Sequence, residues 1–549
     1  MMSLRLRYAV LTTIALLIFF LSTHYYHSSP TLGLLPNGLP RPRLTDLLHT
    51  DASSPPPSPP LTRPTPPIYK PTLSAPAIQI VDNFPLAAAA HSSADLPPLP
   101  SWNAPPNPHV NESTPLFIGF TRNWRLFQQV VVSYITSGWP AEDIYVVENT
   151  GVMDSNSLGL LSLQNPFFLN HTRLGMLGVN VLVTPTLFTF AQLQNYYLWT
   201  ATQNFWPHYF WSHMDVVSLS LESAVRFPPK ASTNPPSSHL RETSDPWENN
   251  TLYTNCLLQL RELTSPHPDT AKVKKWASVF FSYDRLTLVN VAAHKSIGAW
   301  DTMIPFYMGD CDMHSRITMA GYEILDAKAG LVYDVGSSLD DLLILYRQKR
   351  GPNGDVADAS FLDPNIAAKA AEEAAERLEA EKGSVEKRGA DEEAAVSKEA
   401  VLREQELKDA KEKLLKEKDK AAASAADSLA ALFVPSSVPL TPHPATRPEP
   451  DLSLWTEDAP FSSTYTQLLD VLDHMQNSKN SGDRNRWQAR QSGGQGEPFY
   501  RDSAGFERGI QMTIEHGRAM YREKWGHRDC DIVQVGYRAD DAWRVEQDW

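Results

Sequence analysis

Cysteine is scarce in this chain: only Cys256, Cys311 and Cys530 occur among 549 residues. That excludes a disulfide-stapled scaffold and allows at most one bridge within the chain, with the pairing left open. Cys311 by itself reads as a small buried residue. Basic charge is outweighed by acidic, with a formal net charge of −14 and no basic stripe. Such a balance argues against a nucleic-acid partner. A full-length hydrophobic span is missing as well. The apolar stretch from Tyr8 to Leu21 carries no charge but falls short of the roughly 20 residues that cross a bilayer.

Leu4, Tyr25 and Tyr26 extend that stretch, and Arg5 and Arg7 precede it. It therefore reads as a retained single-pass anchor over 8–22 behind a cytoplasmic tail at 1–7, which places the remainder in a lumen or outside. A cleaved signal peptide is the competing reading, although no clear small-x-small cleavage site follows. Three glycosylation tripeptides beyond the anchor, starting at Asn111, Asn170 and Asn249, agree with a luminal chain.

Residues 23–113 are rich in Pro, Ser, Thr and Ala, as in the run Pro55-Pro56-Pro57-Ser58-Pro59-Pro60. Proline removes donors and favours extended backbone, so this region is expected to be a flexible stem without a packed core. Over 351–450 the composition turns to Ala, Glu, Lys and Asp and then to Pro. Glu404–Lys408, Asp409–Lys413 and Glu412–Lys416 are acid-before-base pairs at the i,i+4 spacing of a solvated helix. Its apolar positions are too sparse for a coiled-coil seam. The expectation is an excursion out of the head, with a membrane tether or scaffold role for residues 365–430 as a minor reading.

Between these segments, 114–350 has globular character. Leu116–Phe120, Ile144–Val147, Val179–Val183, Tyr209–Ser212 and Ala277–Ser282 read as buried strands. Trp124–Ser137 and Ala191–Phe205 read as helices between them. This alternation predicts an α/β domain whose sheet is at least partly parallel. Residues 228–275 read as an insertion or long loop. The last part, 451–549, holds amphipathic stretches at Tyr465–Met475 and Gly509–Trp525, expected to pack on the earlier domain rather than to form a core of their own.

Two acidic clusters carry the chemistry. The first is His213-Met214-Asp215, following a buried strand. Residues i and i+2 of a strand point to one side, so His213 and Asp215 can face one ligand. Carboxylate and imidazole suit Mn2+ or a related ion, and such an ion neutralises a departing diphosphate. The plain alternative is an Asp capping a turn beside a core histidine. The second cluster is Trp300-Asp301 and then Gly309-Asp310-Cys311-Asp312, with Arg316 four residues after Asp312. Early acids suit a helix start. Asp310 and Asp312 do not share a helical face. One can deprotonate an acceptor hydroxyl, while the other caps the helix or pairs with Arg316. That both are capping residues is the alternative.

Taken in this order, the segment from Pro115 to Leu345 resembles the GT-A class of nucleotide-sugar glycosyltransferases, which implies an α/β fold with a mixed, mostly parallel sheet flanked by helices. Trp300-Asp301 with Asp310, Asp312 and Arg316 is similar to the acceptor-site signature of family 2-like inverting enzymes. Tyr521-Arg522-Glu523-Lys524-Trp525-Gly526 resembles a segment near the C-terminus of such enzymes. The resemblance implies Asp215 as a metal ligand, with His213 standing where a first Asp contacts donor or metal. It implies Asp310 as base, with Asp312 as runner-up, and Thr121, Arg122 and Glu148 near the donor nucleotide. Asp334 is an open candidate for a further metal ligand. The implied partners are a nucleotide-sugar donor and a glycan or glycoprotein acceptor. The implied placement is a type II protein of the Golgi or ER membrane. A catalytically inactive glycan-binding or scaffold relative is the alternative, motivated by His213.

Overall fold

The computed structural model describes residues 68, 80–222, 250–266, 274–350, 359–361, 455–457, 463–481 and 503–549. The chain divides into Met1–Lys70 and Pro71–Trp549, and apart from Ile68 all of the described structure belongs to the second unit. The candidate anchor, most of the stem and the charged segment 365–430 lie outside the described residues. Among the described residues no helix is long and apolar enough to cross a membrane.

The strands in chain order are β1 (Leu116–Phe120), β2 (Ile144–Glu148), β3 (Asn180–Val183), β4 (His208–Ser212), β5 (Val216–Leu219), β6 (Trp276–Phe280), β7 (Leu286–Asn290), β8 (Glu323–Asp326), β9 (Leu331–Asp334), β10 (Gln348–Arg350) and β11 (Trp455–Glu457). The helices are α1 (Pro85–Ala89), α2 (Trp124–Ile135), α3 (His171–Met176), α4 (Phe190–Gln203), α5 (Leu252–Thr264), α6 (Val291–Ser296), α7 (Gly309–Met319), α8 (Ser463–Ser481) and α9 (Ser503–Trp525).

A seven-stranded sheet in the order β3-β2-β1-β4-β7-β6-β8 forms the centre. Strands β3, β2, β1 and β4 are parallel, β6 and β8 are parallel, and β7 alone of the seven opposes its neighbours. The alternation of elements predicts an α/β sheet that is at least partly parallel, and the observed sheet is mixed and mostly parallel. The register sets Phe120 beside Glu148 and Ile118 beside Ser212. The residues after β1, β2 and β4 therefore emerge at one edge, where open α/β sheets bind ligands.

Helix α2 starts at Asn123, whose side chain accepts from the Leu126 amide, and its residues from Leu126 to Tyr134 are buried on all sides. Helix α4 opens with a capping box between Thr189 and Gln192. Side chains at caps of this kind satisfy amides that lack partners in the first turn.

Several expectations are corrected. The sequence reading has no return strand after the fifth, yet β7 follows β6 through a tight turn in which the Arg285 amide donates to the Ser282 carbonyl. It also has no β5, and none of β8 or β9. Within the expected loop at 228–275, residues 252–264 form α5. Its Leu252, Cys256, Leu260 and Leu263 face the core at helical spacing, and Thr251 caps it. The surrounding Pro and Ser mask that periodicity when composition alone is weighed. Finally, part of the expected stem belongs to the head. Phe84, Ala87 and Leu96 join the main core. Asp82 pairs with Arg173 at 3.1 Å, and the Asn83 side chain donates to the Leu339 carbonyl at 3.2 Å.

Strands β5 and β9 pair outside the main sheet, with Val216 opposite Asp334. The pairing needs a close approach at Gly330, where an added Cβ would lie 2.5 Å from the Leu219 carbonyl oxygen. Helix α8 adds Tyr465, Leu468, Leu472 and Met475 to the main core. Helix α9 places Tyr521 and Trp525 against Ile304 and Ile532.

Candidate active site

A cavity of about 770 Å³ opens at the edge defined by the ends of β1, β2 and β4. Thr121, Asn149, His213 and Asp215 reach it from those strand ends, and Asp310 and His314 reach it from α7. Phe506, Ile510, Ile514 and Arg518, four residues apart along one face of α9, form a further wall. Asp215 and Asp310 thus line the same space.

The two acids of α7 part company. Asp310 is half-buried and faces the cavity, with the Tyr283 hydroxyl 3.4 Å from its Oδ2. Burial, then Asp310 and Asp284, push the Tyr283 phenol up to about 12. Asp312 is fully buried. Its Oδ2 accepts from Arg316 Nε at 2.8 Å, and its Oδ1 accepts from Trp525 Nε1 at 3.0 Å and lies 2.7 Å from Lys524 Nζ. Lys524 also reaches Asp301 Oδ2 at 2.7 Å. Burial works against ionisation of Asp301, but Lys524 and the Met303 amide outweigh it and hold the carboxyl below its ordinary value. The acceptor-type segment and the C-terminal segment singled out in the sequence are thus one hydrogen-bonded unit. Cys311, beside Asp310, is bonded to Cys530. This corrects the reading of Cys311 as a lone buried thiol; Cys256 is the buried free cysteine.

Around Asp215 the carboxylate is already occupied. Lys479 Nζ of α8 lies 2.7 Å from Asp215 Oδ2 and 2.6 Å from Asp334 Oδ1. Arg285 approaches the other Asp334 oxygen at 3.9 Å. His213 stacks on Trp211, and its nitrogens stand 3.7 Å from Asp215 and 3.6 Å from Asp284, beyond hydrogen-bond reach. With an ammonium between the two acids, Asp215, His213 and Asp334 do not fit a divalent ion as they stand. A different trio, His527, Asp529 and Asp531, has ligand atoms within 4.8 Å of one another. It is largely exposed, and the His527 ring is held by Asp531 and Asp548.

Of the donor-side residues, Thr121 and Arg122 line the cavity. The Arg122 guanidinium lies 4.0 Å from the centre of the Phe506 ring, and burial lowers its pKa to about 10. Glu148 does not line the cavity. It is enclosed, accepting from Asn156 at 2.7 Å and Thr150 at 3.2 Å, with His171 at 2.7 Å. Its neighbour Asn149 faces the cavity instead.

Sequence reasoning missed Lys479 and, apart from Trp300, the polar floor of the cavity. Gln194, Thr287, His294 and Trp300 line the cavity, each at least nine-tenths buried. Among the described residues, Gln194 Oε1, Thr287 Oγ1, His294 Nδ1 and Trp300 Nε1 have no hydrogen-bond partner. Buried polar atoms without partners are costly, so these are places where a ligand recovers what folding leaves unpaired. Burial drives His294 down to about 3, so its imidazole is neutral, with Nε2 3.0 Å from the Ser278 hydroxyl. No motif spacing marks Gln194, Thr287 and His294, which come from α4, β7 and α6, whereas Trp300, in the loop before α7, belongs to the acceptor-type segment singled out in the sequence.

No family model and no curated protein matches this sequence. Among solved structures, a mannosyltransferase from Pyrobaculum calidifontis, in complex with GDP-Man and Mn2+, is similar at 12% identity and a TM-score of 0.25, covering 41% of this chain and 58% of its own. A cytidylyltransferase from Leptospira borgpetersenii serovar Hardjo-bovis is similar at 8% identity and a TM-score of 0.23, covering 41% of this chain and 82% of its own. Both likenesses are weak, and the chemistry of the site is read from this chain's own residues.

Proposed function

We propose that this chain is a glycosyltransferase that moves a sugar from a nucleotide-sugar donor to a hydroxyl of a glycan or glycoprotein. The observation that carries the reading is that Asp215 and Asp310, remote in sequence, line one cavity at the ligand edge of an α/β sheet. The cavity volume suits a ligand of nucleotide-sugar size, since small-molecule pockets run from about 300 to about 1,000 Å³. Its partnerless buried polar atoms suit a polyhydroxylated group.

In this reading the acceptor hydroxyl attacks the anomeric carbon while Asp310 takes the hydroxyl proton. The bond from that carbon to the diphosphate oxygen breaks, and the nucleoside diphosphate leaves with the electron pair. Direct displacement of this kind inverts the anomeric configuration. Arg122 offers positive charge to the leaving group from the cavity wall. Asp312, held by Arg316, Lys524 and Trp525, orients the helix that presents Asp310. No step is assigned to a divalent ion, because the residues at Asp215 do not fit one.

The Cys311–Cys530 bond supports an oxidising compartment. Together with residues 1–26 of the sequence it favours a type II protein of the Golgi or ER membrane. Asn111, an exposed loop residue, is available for glycosylation, whereas Asn170 caps α3 through its side-chain oxygen.

The test is donor turnover by the purified chain across a panel of nucleotide sugars, with nucleoside diphosphate binding measured by calorimetry. Sugar release or transfer that is lost in Asp310→Asn is the expected result. Binding of a diphosphate without turnover would favour the inactive, glycan-binding reading. No binding of any nucleotide would end the transferase reading.

A further inference from the structure

The Asp215–Asp334 pair is built around a positive charge that the chain itself supplies. The antiparallel pairing of β5 with β9 sets Val216 opposite Asp334, and the Val335 amide donates to the Asp215 carbonyl at 2.8 Å. Two carboxylates are thereby brought together at the buried end of a two-stranded ladder. Repulsion between them in a site of low dielectric is severe unless a cation stands between. Lys479 provides it. Its side chain is 5% exposed, and Nζ contacts Asp215 at 2.7 Å, Asp334 at 2.6 Å and the Val335 carbonyl at 3.4 Å. These acceptors account for the three donors of an ammonium. Its stem runs over Gly336, where an added Cβ would stand 3.5 Å from Lys479 Cγ.

We propose that Lys479 is a resident cation that occupies the position a divalent metal would take between Asp215 and Asp334, and that the chain binds nucleoside diphosphates without such a metal. The second half rests on the transferase reading, whereas exclusion of metal from the acid pair does not. A metal ion coordinates carboxylate oxygens at about 2 Å and needs their lone pairs free. Here Lys479 cancels one of the two negative charges and occupies the space between the carboxylates, and Arg285, 3.9 Å from Asp334, sets a second positive charge against the other, so little net negative charge remains to recruit a divalent ion. The positive charge facing a diphosphate then comes from Arg122 and Arg518, which line the cavity.

The test uses the full chain stripped with a chelator and titrated calorimetrically with MnCl2 alone. The parent is expected to show no Mn2+ binding that depends on Asp215. Lys479→Ala is expected to gain a Mn2+ site that disappears again when Asp215→Asn is added. The exposed His527 group is common to all these proteins and cancels in the comparison. UDP and GDP are then titrated in chelator and in Mn2+, with affinities expected to agree within about twofold. Mn2+ binding by the parent that is lost in Asp215→Asn would overturn the proposal. So would a Mn2+-driven tightening of nucleotide binding by about tenfold or more that vanishes in the same variant. Should Lys479→Ala not fold, parent against Asp215→Asn decides alone, because the amide of Asn still accepts from the ammonium. Failure of every nucleotide to bind would remove the diphosphate half together with the transferase reading, and the Mn2+ titration would still judge the acid pair.

Discussion

The indole nitrogen of Trp525 donates to the carboxylate of Asp312 across 3.0 Å. With Arg316 and Lys524 on the same carboxylate, this contact decides which of two acids on one helix is open to a substrate. Asp312 has no oxygen to spare, and Asp310 looks into the cavity.

The two acids should therefore respond differently to removal of charge. Asp310→Asn is expected to leave the melting temperature near that of the parent and to lower transfer by about 10²- to 10⁴-fold, the range for loss of a general base. Asp312→Asn leaves Arg316 without its buried anion and Lys524 with Asp301 alone. It is expected to cost about 3 kcal/mol of stability, the scale of a broken buried pair. Parallel urea unfolding and turnover of both variants check this. A stable, inactive Asp312 variant would reverse the two roles.

The Cys311–Cys530 bond joins the helix bearing Asp310 to the segment after α9, with a sequence separation of 219. A cross-link restricts the unfolded chain, more so for longer loops. Cys530→Ser is expected to lower stability by about 2–4 kcal/mol and to loosen the region around Asp310. Thermal unfolding of the variant, and of the parent with and without reductant, measures it. An unchanged midpoint in both would show that this link does not constrain the fold.

Stability should fall in acid through His294. Its folded pKa is about 3 against an ordinary 6.5, because burial disfavours the imidazolium. Between those values the unfolded state binds more protons than the folded one. Stability is therefore fully present above about pH 6.5 and is lost as pH falls, by up to about 1.4 kcal/mol per unit. His527 works in the opposite sense, its pKa raised against burial by Asp548 and Asp531. It is unchanged in His294→Gln, so the difference between parent and variant isolates His294. Urea midpoints from about pH 7 to about pH 5 are expected to drop more steeply in the parent.

Phe84 tests where the head begins. It is fully buried and its ring lies 5.9 Å from that of Tyr346. Phe84→Ala is expected to cost about 3–5 kcal/mol, as for a buried aromatic cut back to a methyl. A midpoint like that of the parent would return this segment to the stem.

Much of the sheet was legible because its strands are short apolar runs broken by turn residues, as at Leu116–Phe120 and Ile144–Glu148. The helices around it carry cap signals, such as Thr189 and Gln192. Strand β7 escaped because a return strand is distinguished from a loop only by its partners. Helix α5 escaped because prolines and serines on either side dominate the composition. At the site, the acids were legible as residues but their employment was not. The expectation for Glu148 at the donor meets a side chain enclosed by Thr150, Asn156 and His171, with Asn149 beside it at the cavity wall.

Local pattern, then, was enough to determine the order of β1 to β4 and β6 with α2 and α4 among them, the α/β class and the two acidic stretches, since periodicity and capping act within a few residues. Tertiary structure alone decided that Asp310 is open while Asp312 is bound, that Cys311 meets Cys530, and that Lys479 stands between Asp215 and Asp334. Each of these depends on a partner more than a hundred residues away. An ion pair or a disulfide depends on distance in space, and separation along the chain carries no record of it.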